Sequence, residues 1–114
     1  MTRGRVVLVP FPFDDLSTAK VRPAVCLTDP IGPHRHVILA FISSRTPTDI
    51  LESDVVLDSG QADFAETGLR VSSTLRLHRL MTVATTLIRR ELGKLPTRMQ
   101  DEVTSKLRKL FALA

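Results

Sequence analysis

One pair of side chains in the sequence combines a guanidinium group with an imidazole. Arg76 and His78 stand two residues apart in the stretch Thr74–Arg79, where they alternate with Leu75 and Leu77. On a β-strand, residues at this spacing have their side chains on one face of the sheet. A guanidinium group binds phosphate through parallel hydrogen bonds, and an imidazole titrates near neutral pH. The spacing alone places a guanidinium and an imidazole on one face of a predicted strand, and it assigns no role to either.

Two other clusters are reminiscent of metal sites, but neither is complete. His34 and His36 have the spacing that shares a strand face, and Asp14-Asp15 offers the oxygen ligands that magnesium prefers. The sequence places no third ligand near the histidines, which lie beside a Gly-Pro turn, and turn formation explains the aspartate pair better. We therefore expect no metal and no other cofactor.

The positive charge is concentrated in the two ends of the chain. The net charge is +4, and arginine outnumbers lysine twelve to four. Residues 1–48 carry six basic and three acidic side chains, residues 49–66 carry six acidic and none basic, and residues 67–114 carry ten basic and three acidic. Because arginine prefers bidentate, phosphate-like partners, the basic segments suggest a polyanionic ligand. The acidic belt, residues 49–66, is expected to be a solvated face.

The composition is that of one small globular domain over residues 1–114. With 43% hydrophobic and 25% charged side chains, a chain of 114 residues can form a single core. Every apolar run is far shorter than the roughly 18 residues that a membrane span requires, and the N-terminus has no secretory pattern. The single cysteine, Cys26, excludes an internal disulfide. We therefore expect a cytoplasmic protein with no membrane partner.

Short apolar segments separated by proline, glycine and polar residues predict a series of β-strands. The segments are Arg5–Val9, Val21–Leu27, Val37–Ile42, Val55–Leu57, Thr74–Arg79 and Met81–Val83, while Leu87–Leu95 fits either a strand or a helix. Alternation places Arg22, Ala24 and Cys26 on one face of the second strand, and Val21, Val25 and Leu27 on the other.

Only the C-terminus has a clear helical pattern. Thr97-x-x-Gln100 after Pro96 has the form of a capping box. An apolar stripe at helical spacing follows, formed by Met99, Val103, Leu107, Leu110 and Ala114. Five to seven short strands with one terminal amphipathic helix predict a small, mostly antiparallel β-barrel of the α+β class.

Five motifs occur in a characteristic order along the chain. They are Arg3-Gly4-x-Val6-Val7, Pro10-Phe11-Pro12-Phe13, Lys20-Val21-Arg22-Pro23-Ala24-Val25, Ile38-Leu39-Ala40-Phe41-Ile42-Ser43-Ser44 and Glu66-Thr67-Gly68-Leu69. Together with the closing helix, they resemble the MazF/PemK-type toxins, the ribonuclease members of bacterial toxin–antitoxin pairs. The resemblance implies an SH3-like antiparallel barrel of the CcdB/MazF kind, a homodimer and metal-independent cleavage of single-stranded RNA.

The resemblance also assigns roles to individual side chains. In the family, a ribose 2′-hydroxyl attacks the adjacent phosphorus and a 2′,3′-cyclic phosphate is left. Arg22 matches the catalytic arginine, and Ser43 matches a hydroxyl position that is commonly threonine. Arg76 and His78 match an arginine–aspartate pair of PemK-type members, with imidazole in place of the carboxylate. His78 is therefore a candidate for proton transfer, and Arg76 for RNA binding.

Further RNA contacts are expected beside these residues. Ser17, Thr18 and Lys20 belong to the first polar loop and the strand that follows it, and Ser44 is adjacent to Ser43. The chain departs from many family members at Arg5 and Ser17, where acidic residues are common. In the family a largely disordered, often acidic antitoxin segment covers the groove, so the resemblance implies a cognate antitoxin as the protein partner.

Two alternative functions stay open at this point. CcdB-type toxins share the fold and bind DNA gyrase without nuclease activity, although a chain of that type has no reason to combine Arg22-Pro23 with Ser43. A catalytically inactive RNA-binding homologue is the other alternative, because acidic positions are missing. With no Trp or Tyr and five Phe, base selection is expected to rest on loop hydrogen bonds and arginine stacking.

Overall fold

Six β-strands and one α-helix form the computed structural model, which describes residues 2–11, 20–44 and 48–113, with Phe11 described by its backbone alone. The strands are β1 (Arg5–Phe11), β2 (Lys20–Cys26), β3 (His36–Ser43), β4 (Asp54–Leu57), β5 (Ser73–Ala84) and β6 (Arg90–Lys94), and the helix is α1 (Thr97–Leu110). A short 3-10 turn at Phe64–Thr67 lies between β4 and β5, and another at Thr85–Leu87 lies between β5 and β6. The ambiguous segment before the helix is thus a turn followed by a strand.

The strands form one antiparallel sheet in the order β4-β5-β3-β2-β1-β6. The sheet curls into a partly open barrel whose free edges are β4 and β6. The 3-10 turn Phe64–Thr67 follows β4 along the chain and contacts β6, so it lies across the opening between the two edges. The predicted small antiparallel barrel with a C-terminal helix is confirmed.

Apolar side chains are buried on both faces of the curled sheet. The face covered by α1, which we call the helix face, buries Val6, Val25, Ala40, Ile42, Val55, Leu57, Leu75 and Leu77 against Met99 and Val103 of the helix. The opposite face buries Val7, Val9, Ala24, Cys26, Val37, Leu39, Phe41 and Val83. The predicted alternation along β2 is confirmed, because Ala24 and Cys26 lie on the opposite face and Val25 lies on the helix face.

A β-bulge joins the two strand segments that the sequence predicts near residue 80. β5 is one strand of 12 residues, but its register with β3 shifts: Ala40 pairs with Leu80, whereas the next residue, Phe41, pairs with Arg76. The three residues from Leu77 to Arg79 therefore have no partner on β3. Because an odd number of residues is inserted, the faces of β5 exchange across the bulge. The bulge lets a long strand take part in a strongly curled sheet.

The helix begins one residue earlier than its capping pattern implies. Thr97 is the first helical residue, Pro96 is the N-cap, and no side chain caps the N-terminus. The predicted capping box is therefore wrong; the Gln100 side chain instead donates to the carbonyl oxygen of Leu95 at 2.8 Å. Proline is suited to this boundary because its fixed φ fits a helix start.

None of the helices in the described residues is long and apolar enough to cross a membrane.

Candidate active site

Arg22 and Ser43 occupy facing positions on adjacent strands. The β2–β3 register pairs Cys26 with Leu39 and Ala24 with Phe41. Continued by one more step of two residues, this register sets Arg22 opposite Ser43, on the same face as Ala24 and Phe41. Both side chains are partly exposed, whereas Ala24 and Phe41, two residues away on the same strands, are buried. The sheet therefore holds a cation and a hydroxyl side by side where its apolar core ends.

Arg76 on β5 lies next to this end of the sheet, close to Ser43. It pairs with Phe41 of β3 on one side and with Asp54 of β4 on the other. Ser43, two residues beyond Phe41, pairs with Thr74. Since directly paired residues share a face of an antiparallel sheet, four side chains lie together on the face opposite the helix. We call this surface, formed by Arg22, Ser43, Thr74 and Arg76, the arginine face.

Asp54 is a buried carboxylate beside the arginine face. Its side chain is 0% exposed, and its Oδ1 lies 2.9 Å from Nε of Arg76, whose side chain is 21% exposed. Its Oδ2 accepts a hydrogen bond from the amide of Leu51 at 2.9 Å. The expectation that the whole acidic belt is solvated is therefore wrong for Asp54. Strand pairing places this residue against an arginine, and burial of the charge is tolerated because it is paired.

The contact between Asp54 and Arg76 is an ion pair rather than a well-aligned hydrogen bond. Oδ1 and Nε are both buried, and neither has a hydrogen-bond partner of good geometry among the described residues. Within the same part of the chain, Asp54 is the only ion-pair partner that Arg76 has. A guanidinium group carries five N–H donors in a planar fork. The terminal nitrogens of Arg76 therefore keep donor capacity for a ligand on the exposed side.

His78 lies elsewhere. It is exposed in the middle of the bulge and lines a cavity of about 450 Å³ with Leu51, Glu52, Ser53, Lys106, Lys109 and Leu110. None of the arginine-face residues lines that cavity. The expected sharing of one face by Arg76 and His78 assumed an unbroken strand, and the shift in register removes that basis. The role of His78 in proton transfer stays a prediction without support from a shared face.

The other expected RNA contacts are only partly described. Lys20 is exposed at the start of β2 and, two residues from Arg22, has its side chain on the same face. Ser44 is exposed directly after β3. Ser17 and Thr18 lie outside the described residues, as do Asp14 and Asp15. Lys20 therefore extends the positive surface of the arginine face along β2.

The remaining belt residues have surface roles. Asp63 forms a bidentate pair with Arg98 of α1, with oxygen–nitrogen distances of 2.6 and 2.7 Å. Hydrogen bonds from Arg98 hold the pKa of the Asp63 carboxyl below its usual value. Asp58 accepts a hydrogen bond from the amide of Gly60 within a turn. These carboxylates do not reach the arginine face, and Asp49, Glu52 and Glu66 are exposed.

Cysteine and histidine residues form no metal cluster in the described residues. The rings of His34 and His36 are 6.0 Å apart between centroids, and both residues are exposed. Cys26 is fully buried, and desolvation raises the pKa of its thiol to about 11. Because the thiolate is the reactive form, this cysteine is suited to packing rather than nucleophilic chemistry.

Two residues of the site have no distinctive signal in the sequence. Thr74 is buried opposite Ser43, and Asp54 is buried opposite Arg76. Both positions follow from strand register, which joins segments 22 or more residues apart in the chain. Thr74 and Asp54 could be found only by knowing how β5 pairs with its neighbouring strands.

A comparison with protein families decides the family of the chain. A family model described as PemK-like, MazF-like toxin of type II toxin-antitoxin system matches residues 2–111. The chain belongs to this family. A search of curated protein sequences found no match.

Solved structures of MazF toxins share the fold of this PemK-like, MazF-like toxin. Mycobacterium tuberculosis toxin MazF-mt6 is 19% identical, with 96% of this chain and 98% of that chain covered and a TM-score of 0.71. MazE-MazF (Form-III) from Deinococcus radiodurans is 16% identical, with coverages of 100% and 98% and a TM-score of 0.71. An endoribonuclease in complex with its cognate antitoxin from a mycobacterial species is 13% identical, with coverages of 100% and 97% and a TM-score of 0.71.

Proposed function

We propose that this toxin is a sequence-specific, metal-independent endoribonuclease that cleaves single-stranded RNA, including mRNA, and so inhibits translation and growth. The observation that carries the proposal is the arginine face. Ser43 pairs with Thr74, two residues from Arg76, and the β2–β3 register, continued by two residues, sets Arg22 opposite Ser43. Two guanidinium groups and a hydroxyl make a surface of donors for a phosphodiester. Family membership and the fold shared with proteins named as endoribonucleases agree with this reaction class.

The reaction that suits this face is transfer of the phosphodiester to the ribose 2′-hydroxyl. The 2′-oxygen attacks phosphorus, the bond to the 5′-oxygen breaks, and a 2′,3′-cyclic phosphate and a 5′-hydroxyl result. Negative charge develops on the equatorial oxygens, so donors fixed around them stabilise the transition state. In the proposal Arg22 supplies charge and a proton for the leaving oxygen, the hydroxyl of Ser43 donates to a phosphoryl oxygen, and Arg76 binds phosphate.

A proton acceptor for the 2′-hydroxyl is also required. His78 is the predicted candidate, and its place in the bulge, away from the arginine face, makes it the least supported of the catalytic residues. The variant His78→Ala tests it directly. Cleavage at the parental rate with the parental pH profile would remove His78 from the mechanism, whereas a large loss of rate with a changed pH profile would support it.

Protein partners are part of the same proposal. We infer that a cognate antitoxin covers the arginine face and that the toxin acts in the cytoplasm as a homodimer. Two similar structures are named as complexes with an antitoxin or MazE. An acidic segment would complement Arg22 and Arg76 of the arginine face and Lys20 beside it.

One experiment separates the proposed activity from its alternatives. Purified protein is incubated with a mixed-sequence RNA in EDTA, beside Arg22→Ala and the control Arg70→Ala, which removes an exposed arginine outside the strands. We expect cyclic-phosphate ends at a short recurring sequence, a loss of about 10²–10³-fold in rate for Arg22→Ala, and little change for the control. Intact RNA that is tightly retained would indicate an inactive binder, and intact RNA without retention would indicate a protein target such as DNA gyrase.

A further inference from the structure

We propose that Asp54 is a positioning residue for Arg76, and that it fixes the guanidinium group on the arginine face before RNA binds. This inference rests on the proposed ribonuclease function and adds to it a residue that does not touch the substrate. Asp54 is 0% exposed, so it is not itself an RNA contact. Its Oδ1 lies 2.9 Å from Nε of Arg76, on the inner edge of the guanidinium group.

One backbone amide binds the carboxylate of Asp54, and two further contacts hold the main chain of this residue. Oδ2 accepts a hydrogen bond from the amide of Leu51, and the amide of Asp54 donates to the carbonyl oxygen of Leu51 at 3.0 Å. The ammonium group of Lys106 on α1 donates to the carbonyl oxygen of Asp54 at 2.6 Å and pairs with Glu102 at 2.9 Å. The acid therefore presents Oδ1 in one direction, and that direction is occupied by Arg76.

Stability alone is a weak reason for this arrangement. Burying an ion pair costs desolvation free energy, and apolar residues of similar volume are often as stable or more so. Val55 and Leu57 on the same short strand meet the need for burial. A carboxylate next to a partly exposed arginine in a candidate site is better explained by the orientation it imposes.

Orientation matters because an arginine side chain has several rotatable bonds. A guanidinium group that is free in solvent loses conformational entropy when it binds phosphate, whereas one already restrained by an ion pair along its Nε edge loses less. Its terminal nitrogens then meet the phosphate as a fixed fork. Asp54 lies on the Nε edge, so its negative charge is farther from a phosphate bound at the terminal nitrogens than the guanidinium charge is.

The chain offers a matched control for this pair. Asp63 and Arg98 also join a carboxylate to a guanidinium, with Nη2–Oδ1 at 2.6 Å, but they belong to the loop before a 3-10 turn and to α1. Their side chains are 26% and 48% exposed. Loss of this second pair removes an ion pair of the same chemical type away from the arginine face.

Cleavage rates of single and double variants test the proposal. For Asp54→Asn we expect a rate about ten- to hundredfold below that of the parent, because a misplaced group forfeits catalysis at this scale. The control Asp63→Asn should stay within about twofold. In an Arg76→Ala background, Asp54→Asn should change the rate less than about twofold, since its effect passes through Arg76. A purely structural role would instead reduce both backgrounds by the same factor, and that result would overturn the proposal.

The outcomes also separate this inference from the function on which it rests. A parent protein that leaves RNA intact refutes the ribonuclease function, whereas a parent that cleaves while folded Asp54→Asn cleaves equally fast refutes only the role of Asp54.

If Asp54→Asn fails to fold, nuclear magnetic resonance of the parent protein tests whether Arg76 is already oriented before RNA binds. The Nε–H resonance of Arg76, assigned with Arg76→Lys, should be ordered in the free protein and should shift when 2′-O-methyl RNA, which lacks the nucleophile, is added. A motionally averaged or unshifted resonance would overturn the proposal.

Discussion

Replacing Gly93 by alanine should remove a substantial part of the stability of the fold, because two backbone segments meet at this residue. A Cβ on Gly93 would lie 2.2 Å from the carbonyl oxygen of Glu66 and 2.7 Å from the carbonyl carbon of Thr67. Carbon atoms in contact are normally separated by about 3.5–4 Å. The 3-10 turn Phe64–Thr67 and β6 would have to separate by roughly 1 Å or more.

The turn has little freedom to retreat. Thr67 is buried, and its Oγ1 donates to the carbonyl oxygen of Phe64 at 2.7 Å and accepts from the amide of Leu69 at 3.1 Å. Phe64 is itself part of the helix-face core. Overpacking of this kind costs about 1–3 kcal/mol, and replacing a strand glycine recovers about 0.5–1 kcal/mol of chain entropy. Because the Cβ would meet backbone atoms rather than a flexible side chain, the cost lies at the upper end, about 3 kcal/mol. With about 1 kcal/mol recovered, we expect a net loss of about 2 kcal/mol.

The measurement is unfolding followed by far-ultraviolet circular dichroism, since the chain has no Trp or Tyr. A loss of about 2 kcal/mol corresponds to a fall in Tm of roughly 8–10 °C for a chain of this size. The control is Gly60→Ala, whose Cβ would meet only the Asp58 side chain, at 3.3 Å, and should stay within about 0.5 kcal/mol. If Gly93→Ala matched the stability of the parent, the close approach of turn and strand would be refuted.

Three further outcomes follow from burial and charge. Cys26 should resist thiol reagents at pH 8 in the folded protein and react fully in denaturant, because burial raises its pKa to about 11; rapid labelling without denaturant would contradict this. The Asp63 carboxyl has a lowered pKa in the folded state, so its pair with Arg98 stabilises the protein above the unfolded-state pKa and this contribution is lost as pH falls through the folded value. The difference in urea midpoint between parent and Asp63→Asn should therefore shrink in acid, and a constant difference would count against the pair. Binding of 2′-O-methyl RNA should weaken with salt, and Arg76→Ala should reduce the log–log slope by about 0.7, the value for one phosphate on a single strand; an unchanged slope would mean that Arg76 contacts no phosphate.

Much of the fold could be predicted because local patterns decide it. Alternation in Val21–Leu27 placed Ala24 and Cys26 on one face and Val25 on the other, as observed. That alternation also placed Arg22 with Ala24, and it is the reason that the arginine face contains this residue. The apolar stripe of the C-terminal helix was predicted in the same way, and Met99 and Val103 are buried.

The faces of the β5 residues after Arg76 could not be predicted, because the position of a bulge depends on pairing with the neighbouring strand. Thr74–Arg79 and Met81–Val83 were each predicted to be extended, but local sequence does not indicate that Ala40 pairs with Leu80 while Phe41 pairs with Arg76. The face of every residue from Leu77 onward depends on that shift. His78 therefore changes its neighbours without any change in its own strand pattern.

Asp54 shows why a block of like charges is a poor guide to burial. Net charge is a property of a segment, whereas exposure is decided for each residue by its cross-strand partner. Asp54 heads β4 and meets an arginine, while Asp58, one residue past the end of the strand, meets a turn amide. One carboxylate of the belt is thus fully buried beside the arginine face, and Asp58 is left in solvent. Arg76 pairs with Phe41 on one side and with Asp54 on the other. The register that builds the arginine face therefore also places next to Arg76 the acid that orients its guanidinium group.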